Sequence, residues 1–117
     1  MDDEDEILKV YALLLSKLGY TTSCAISVDA AVAAFKAAQA GGHPFDVVVL
    51  DLNMGEGAGG REALAAMRLM DPGIRAILSS GLSEHRMAIE CSQHGFNTSV
   101  SKPFRAQDIV DAFKRIL

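Results

Sequence analysis

Residues 47–54 read Val47-Val48-Val49-Leu50-Asp51-Leu52-Asn53-Met54. Four apolar residues, three of them β-branched, run straight into a carboxylate, and a glycine-rich segment follows from Gly55 to Gly60. An apolar run of this kind predicts a strand buried on both faces, the habit of a parallel sheet. In an open parallel sheet the strand C-termini form the rim where ligands bind. Asp51 falls at that rim. A lone aspartate there is better explained as a turn cap. What Asp51 does therefore depends on what the rest of the chain brings beside it.

Strand and helix patterns alternate on both sides of this run. Ile7, Val10, Tyr11, Leu14 and Leu18 repeat at helical spacing behind five consecutive acids, Asp2 to Glu6, and Gly19 stops the helix. Tyr20 to Ile26 is rich in strand formers and predicts a short strand. Ser27 then caps an alanine-rich helix that breaks at Gly41-Gly42-His43-Pro44. Beyond the glycine loop come a helix over Arg61–Met70, a turn at Asp71-Pro72-Gly73 and an apolar strand from Ile74 to Ser80. A helix from Ser83 or Glu84 to His94 follows, with Gly95 as its stop. Phe96 to Ser101 predicts a weak edge strand, and a last helix starts near Ala106 with Ile109, Val110, Phe113 and Ile116 on one face. This alternation predicts an α/β fold with helices on both faces of a parallel sheet.

The bulk numbers narrow the functional classes. A chain of 117 residues, half of them hydrophobic, suits one compact domain, residues 1–117, with no internal repeat or linker. The net charge of −4, without a basic run, argues against direct nucleic-acid binding. No apolar run approaches a membrane span, and the acidic start is not a secretory leader, so a cytoplasmic location is expected. Cys24 and Cys91 stand in apolar contexts and are expected to be buried free thiols. His43, His85 and His94 lack metal-ligand spacing.

At the rim of such a sheet Asp2 and Asp3, Asp51, Ser79-Ser80-Gly81 and Lys102 converge. Several carboxylates make a hard oxygen site suited to Mg²⁺. A hydroxyl, a backbone N–H and a lysine make a cradle for an anion. Together these parts describe phosphoryl transfer to an aspartate.

On these residues the chain resembles the receiver domains of two-component response regulators. The matching motifs are Asp2-Asp3-Glu4, Asp51-Leu52-Asn53-Met54 followed by Gly59, Ser80-Gly81 and Lys102-Pro103-Phe104, in the right order over nearly the whole chain. The stretches Gly59-Gly60-Arg61-Glu62-Ala63 and Ser79-Ser80-Gly81-Leu82-Ser83 look most like receivers of hybrid sensor histidine kinases. The resemblance implies a flavodoxin-like three-layer fold with strand order 2-1-3-4-5. It implies that Asp51 accepts a phosphoryl group from a histidine kinase or a histidine phosphotransfer domain, as a signalling module without an independent substrate. Asp3 would hold Mg²⁺ directly and Asp2 through water, with Asp51 and the backbone carbonyl of Asn53 as further ligands. Ser80 would bond the phosphoryl oxygens, with Ser79 as its rival if the register differs by one. Lys102 would pair with phosphate or with Asp51, aimed inward by a cis Lys102–Pro103 bond. A homodimer stays open.

Three departures from the family pattern stand out. Receivers begin with a central apolar strand leading into the acid pair, whereas here only Met1 precedes Asp2. Losing such a strand would forfeit on the order of 6–12 kcal/mol, against a domain stability of ~5–15 kcal/mol. The expectation is a marginal or rearranged fold with Asp2 and Asp3 frayed, an upstream strand missing, or a strand supplied by a second chain. Ser99 stands where the family often has a switching aromatic, and Gly55 where it often has proline. A pseudo-receiver that docks a partner without phosphoryl transfer is the alternative function. An aspartyl-phosphate phosphatase is disfavoured, because Asn53 occupies the place of its acid.

Overall fold

The protein is described by a computed structural model over residues 1–52 and 59–117. The Asn53 carbonyl and the Gly55 and Gly57 positions lie outside the described residues. The elements are α1 (Asp5–Lys17), α2 (Val28–Ala40), β1 (Val47–Asp51), α3 (Gly60–Met70), β2 (Arg75–Ser80), α4 (Glu84–His94), β3 (Thr98–Ser101) and α5 (Ala106–Ile116). The strands form one parallel sheet in the order β1-β2-β3. Asp51 pairs with Ser79, and Ser80 with Ser101, so the three C-terminal ends share one rim.

Side chains alternate across this sheet and build two cores. On one face Val48, Leu50, Ala76 and Leu78 pack with Ala31 and Phe35 of α2, Leu64 and Met67 of α3 and Met87 of α4. On the other, Ile77 and Val100 pack with Ile109, Ala112 and Phe113 of α5, and Tyr11, Leu14 and Leu15 of α1 close the edge. Apolar residues on both faces are why the Val47 run is continuous rather than alternating.

Caps fix where the helices begin and end. Ser27 Oγ accepts from the Ala30 N–H at 3.1 Å, and Ser83 Oγ accepts from the Arg86 N–H at 3.3 Å. Glu62 Oε2 reaches back to the Gly59 N–H at 2.7 Å, and these backbone bonds lower its pKa. Gly95 ends α4 at φ 79°, a left-handed conformation that suits glycine. Gly60 answers a different need. A Cβ there would lie 2.6 Å from the Asp51 carbonyl oxygen, so the absence of a side chain lets α3 start against the end of β1.

Three expectations require correction. Tyr20 to Ile26 forms no strand. A strand needs a ladder, and the segment's bond toward the sheet runs from the Asp2 N–H to the Ala25 carbonyl at 3.1 Å. Cys24, in that same unladdered stretch, is exposed rather than buried, while Cys91 is half-buried. The N-terminus differs as well. Met1 is bonded on the free edge of β1, its ammonium donating to the Val49 carbonyl at 2.8 Å and its carbonyl accepting from the Asp51 N–H at 3.1 Å. Asp2 is 3 % exposed, held rather than frayed, and Asp3 is exposed.

Candidate functional site at the sheet rim

The rim gathers Asp2, Asp51 and Lys102 into one charged group. β1 delivers Asp51, 6 % exposed. Met1 tethers Asp2 beside it through the bonds to Val49 and Asp51. Lys102 leaves β3 with its N–H donating to the Ser80 carbonyl at 2.9 Å. The Lys102–Pro103 bond is cis, as the resemblance implies. The next residue is anchored twice: the Phe104 ring stacks on Tyr11 with centroids 3.7 Å apart, and its N–H donates to the Tyr11 hydroxyl at 3.3 Å.

The lysine ammonium then lies 2.7 Å from Asp2 Oδ2 and 3.4 Å from Asp51 Oδ2. Burial opposes its charge, but the hydrogen bond to Asp2 and the charges of Asp51 and Asp2 outweigh burial and raise its pKa. The other Asp2 oxygen, Oδ1, accepts the Glu4 N–H at 3.0 Å. The Met1 ammonium is also part of this electrostatic group. Its pKa is lowered by burial, against the opposing pull of Cys24, Asp2 and Asp51.

The carboxylates of Asp2, Asp3 and Glu4 can each place an oxygen within 4.8 Å of the others. Such an all-oxygen set fits a hard divalent cation such as Mg²⁺. The geometric group contains Glu4, which the sequence reading quoted within a motif but gave no role. Asp51 is not in that group, and Asn53 lies outside the described residues.

The serines divide. Ser80 Oγ accepts from the Leu82 N–H at 3.2 Å, a local turn that leaves its own proton available. Ser79 is in register with Asp51, and its buried Oγ has no hydrogen-bond partner among the described residues. Ser79 thus shares the Asp51 face by strand alternation.

Sequence reasoning missed the bracing at the opposite end of the sheet, where β2 begins. Asn97 Oδ1 accepts from the Ala76 N–H at 2.8 Å and from Arg68 Nη2 at 3.1 Å. Arg68 also donates to the carbonyls of Ile74, at 3.2 Å, and Gly95. This network holds the start of β2 to the loop before β3. No sequence signal beyond an Asn in a polar loop pointed to it.

A sequence model of the family described as "Response regulator receiver domain" matches residues 1–114. Chemotaxis protein CheY of Listeria monocytogenes is 31 % identical over 70 residues, 60 % of this chain and 58 % of CheY. Sporulation initiation phosphotransferase F of Bacillus subtilis is 36 % identical over 72 residues, 62 % of this chain and 57 % of that protein. The chain thus covers less than two thirds of the length of these curated relatives. Among solved structures, Vibrio cholerae CheY4 superposes with a TM-score of 0.86 at 23 % identity, over 99 % of this chain and 93 % of its own. The receiver domain of NtrX from Brucella abortus gives 0.81 at 26 % identity, over 98 % and 93 %. The fold is flavodoxin-like, and by sequence the chain belongs to the response regulator receiver domain family of two-component signalling.

Proposed function

We propose that this receiver accepts a phosphoryl group on Asp51 from a histidine of a kinase or a histidine phosphotransfer domain. The observation that carries the reading is Lys102, whose ammonium lies 3.4 Å from Asp51 Oδ2 at the sheet rim. An Asp51 oxygen attacks phosphorus in line as the P–N bond to the donor histidine breaks. The donor histidine, protonated on its other ring nitrogen, leaves with the P–N electron pair as neutral imidazole, and Asp51 becomes an acyl phosphate. Lys102 and the Ser80 hydroxyl neutralise and orient the phosphoryl oxygens, so the chain supplies position and charge more than acid–base chemistry. Asp3 and Asp2, with Asp51 and the Asn53 carbonyl, would hold Mg²⁺, which supplies further neutralisation of phosphoryl charge when bound. The relay role, with a hybrid sensor kinase upstream in a cytoplasmic pathway, is supported by the Gly59–Ala63 and Ser79–Ser83 stretches and by a curated relative named as a phosphotransferase. No helix of the described residues is long and apolar enough to cross a membrane.

Incubation with acetyl phosphate and Mg²⁺, followed by intact-mass measurement, tests the proposal. A single added phosphate in wild type and none in Asp51→Asn is expected. An unlabelled wild type, or an Asp51→Asn chain that still labels, overturns it. One observation favours a docking module without phosphoryl transfer: Asp2 already has both oxygens engaged, one of them by Lys102. An unlabelled wild type that still binds a phosphotransfer domain would support that second reading.

A further inference from the structure

Lys102 can act on Asp51 only if its root is fixed, because a lysine ammonium rides on a flexible four-carbon stem. β3 ends at Ser101, one residue before it. On the near side the Lys102 N–H is tied to the Ser80 carbonyl at 2.9 Å. On the far side Pro103 has no N–H to offer, and residues 102–105 belong to no helix or strand. The first backbone donor beyond the lysine is the Phe104 N–H, and the Tyr11 hydroxyl of α1 accepts it at 3.3 Å. We propose that Tyr11 is a positioning residue for phosphoryl transfer, pinning the chain beyond Lys102 to α1 so that the ammonium stays beside Asp51. The inference rests on the reading of Asp51 as the acceptor.

Packing alone does not explain a tyrosine here. Tyr11 shares the inward face of α1 with Leu14 and Leu15, against Phe104, Ile109 and Phe113. A third leucine would serve that core. A phenol brings a hydroxyl that costs free energy when half-buried unless it is bonded. Here the bond goes to the backbone of the lysine's own turn. The ring adds a second hold, stacked on Phe104 at 3.7 Å with 14° between the planes, and Phe104 is itself buried. Hydroxyl and ring thus fix both the main chain and the side chain of one residue, two positions beyond Lys102.

The hydroxyl also lies within the field of the rim. Burial raises its pKa above 10.0, the Phe104 hydrogen bond and the Lys102 charge pull it down, and the Asp2 and Asp51 charges push it up. It is therefore protonated at neutral pH, a neutral acceptor that adds no charge beside the lysine. The ammonium, held at its root from both sides, reaches Asp51 Oδ2 at 3.4 Å.

The test uses the 117-residue chain as Tyr11→Phe, which keeps the ring and removes the hydroxyl. Nuclear magnetic resonance of the Lys102 ε-methylene, assigned by its loss in Lys102→Met, reads the lysine directly. In wild type the two ε-protons should be inequivalent, as in a fixed side chain. In Tyr11→Phe they should average to one shift, and the Phe104 N–H should exchange faster with solvent. Labelling of Asp51 by acetyl phosphate and Mg²⁺ should slow about tenfold, on the scale of a displaced reacting group. Phe104→Leu removes the stack and keeps the N–H. It should cause part of the same averaging, and it decides the matter if Tyr11→Phe fails to fold by far-UV circular dichroism. A merely structural role would shift the urea midpoint and leave the lysine spectrum and the labelling rate as in wild type. Averaged ε-protons in wild type, retained inequivalence in the variants, or averaging without slower labelling overturns the proposal. An unlabelled wild type overturns the Asp51 reading and, with it, the role in transfer, whereas the lysine spectrum separately upholds or rejects Tyr11 as the residue that places Lys102.

Discussion

The Lys102 ammonium lies 2.7 Å from Asp2 Oδ2, closer than to Asp51 Oδ2 at 3.4 Å. The lysine thus neutralises two buried carboxylates at once. Replacing it with methionine would remove this one cation from both carboxylates. A buried ion pair contributes little net stability compared with an apolar substitute, but removing one partner leaves uncompensated charge. Lys102→Met is therefore expected to lower unfolding stability by about 1–3 kcal/mol at neutral pH. Its 17 % side-chain exposure keeps the cost below that of a fully enclosed pair. Urea denaturation measures the loss, and an unchanged midpoint would show that the contact carries no weight.

The same contact makes a prediction in pH. The folded-state pKa of Lys102 is raised above 10.5, because its hydrogen bond to Asp2 and the two carboxylate charges outweigh the opposing effect of burial. Folding therefore favours the protonated lysine. Its stabilising contribution is complete below pH 10.5 and disappears as pH rises through the folded-state value. The stability difference between wild type and Lys102→Met should stay level from neutral pH to the ordinary lysine pKa and shrink above it. Parallel urea titrations across that range check the sign.

Gly60 offers a test of how tightly α3 seats on β1. In an unconstrained helix, exchanging glycine for alanine stabilises by roughly 0.5–1 kcal/mol. Here a Cβ would stand 2.6 Å from the Asp51 carbonyl oxygen and 3.2 Å from its carbon. Backbone cannot swing aside as a flexible side chain can. Gly60→Ala is expected to destabilise by about 1–3 kcal/mol and to slow phosphorylation by displacing Asp51. A variant more stable than wild type would show that the helix can retreat without cost.

What the sequence made legible follows from which signals are local. The Val47 run, the Ser27 and Ser83 caps and the Gly95 stop are short-range features, and each element they predict is present. The lysine pairing with Asp51 was expected from the family motifs, and it is observed. The segment from Tyr20 to Ile26 has strand composition yet no ladder, because strand formation depends on a neighbour that composition does not reveal. The exposure of Cys24 follows from the same cause. The contact between Asp2 and Lys102 was illegible for another reason. The two are a hundred positions apart, and motif matching assigns each a role without saying which oxygen each will touch. Arg68 and Asn97 likewise act through carbonyl groups of other segments, and no residue pattern announces such bonds.

The two serines should separate stability from chemistry. Ser79 Oγ is buried without a hydrogen-bond partner among the described residues, and an unsatisfied hydroxyl costs about 1–3 kcal/mol relative to a satisfied one. Ser79→Ala removes that cost and should leave stability equal or higher. Ser80 Oγ accepts the Leu82 N–H at 3.2 Å, so Ser80→Ala should lose about 1 kcal/mol. If Ser80 also holds the phosphoryl oxygens, its alanine variant should label with acetyl phosphate at least about tenfold more slowly, on the scale of one lost oxyanion donor. Ser79→Ala should label at nearly the wild-type rate. The register of Asp51 against Ser79 makes the reverse result the informative failure. A slow Ser79→Ala and a fast Ser80→Ala would move the phosphate-binding hydroxyl to Ser79 and leave Ser80 as the residue that closes the turn to Leu82.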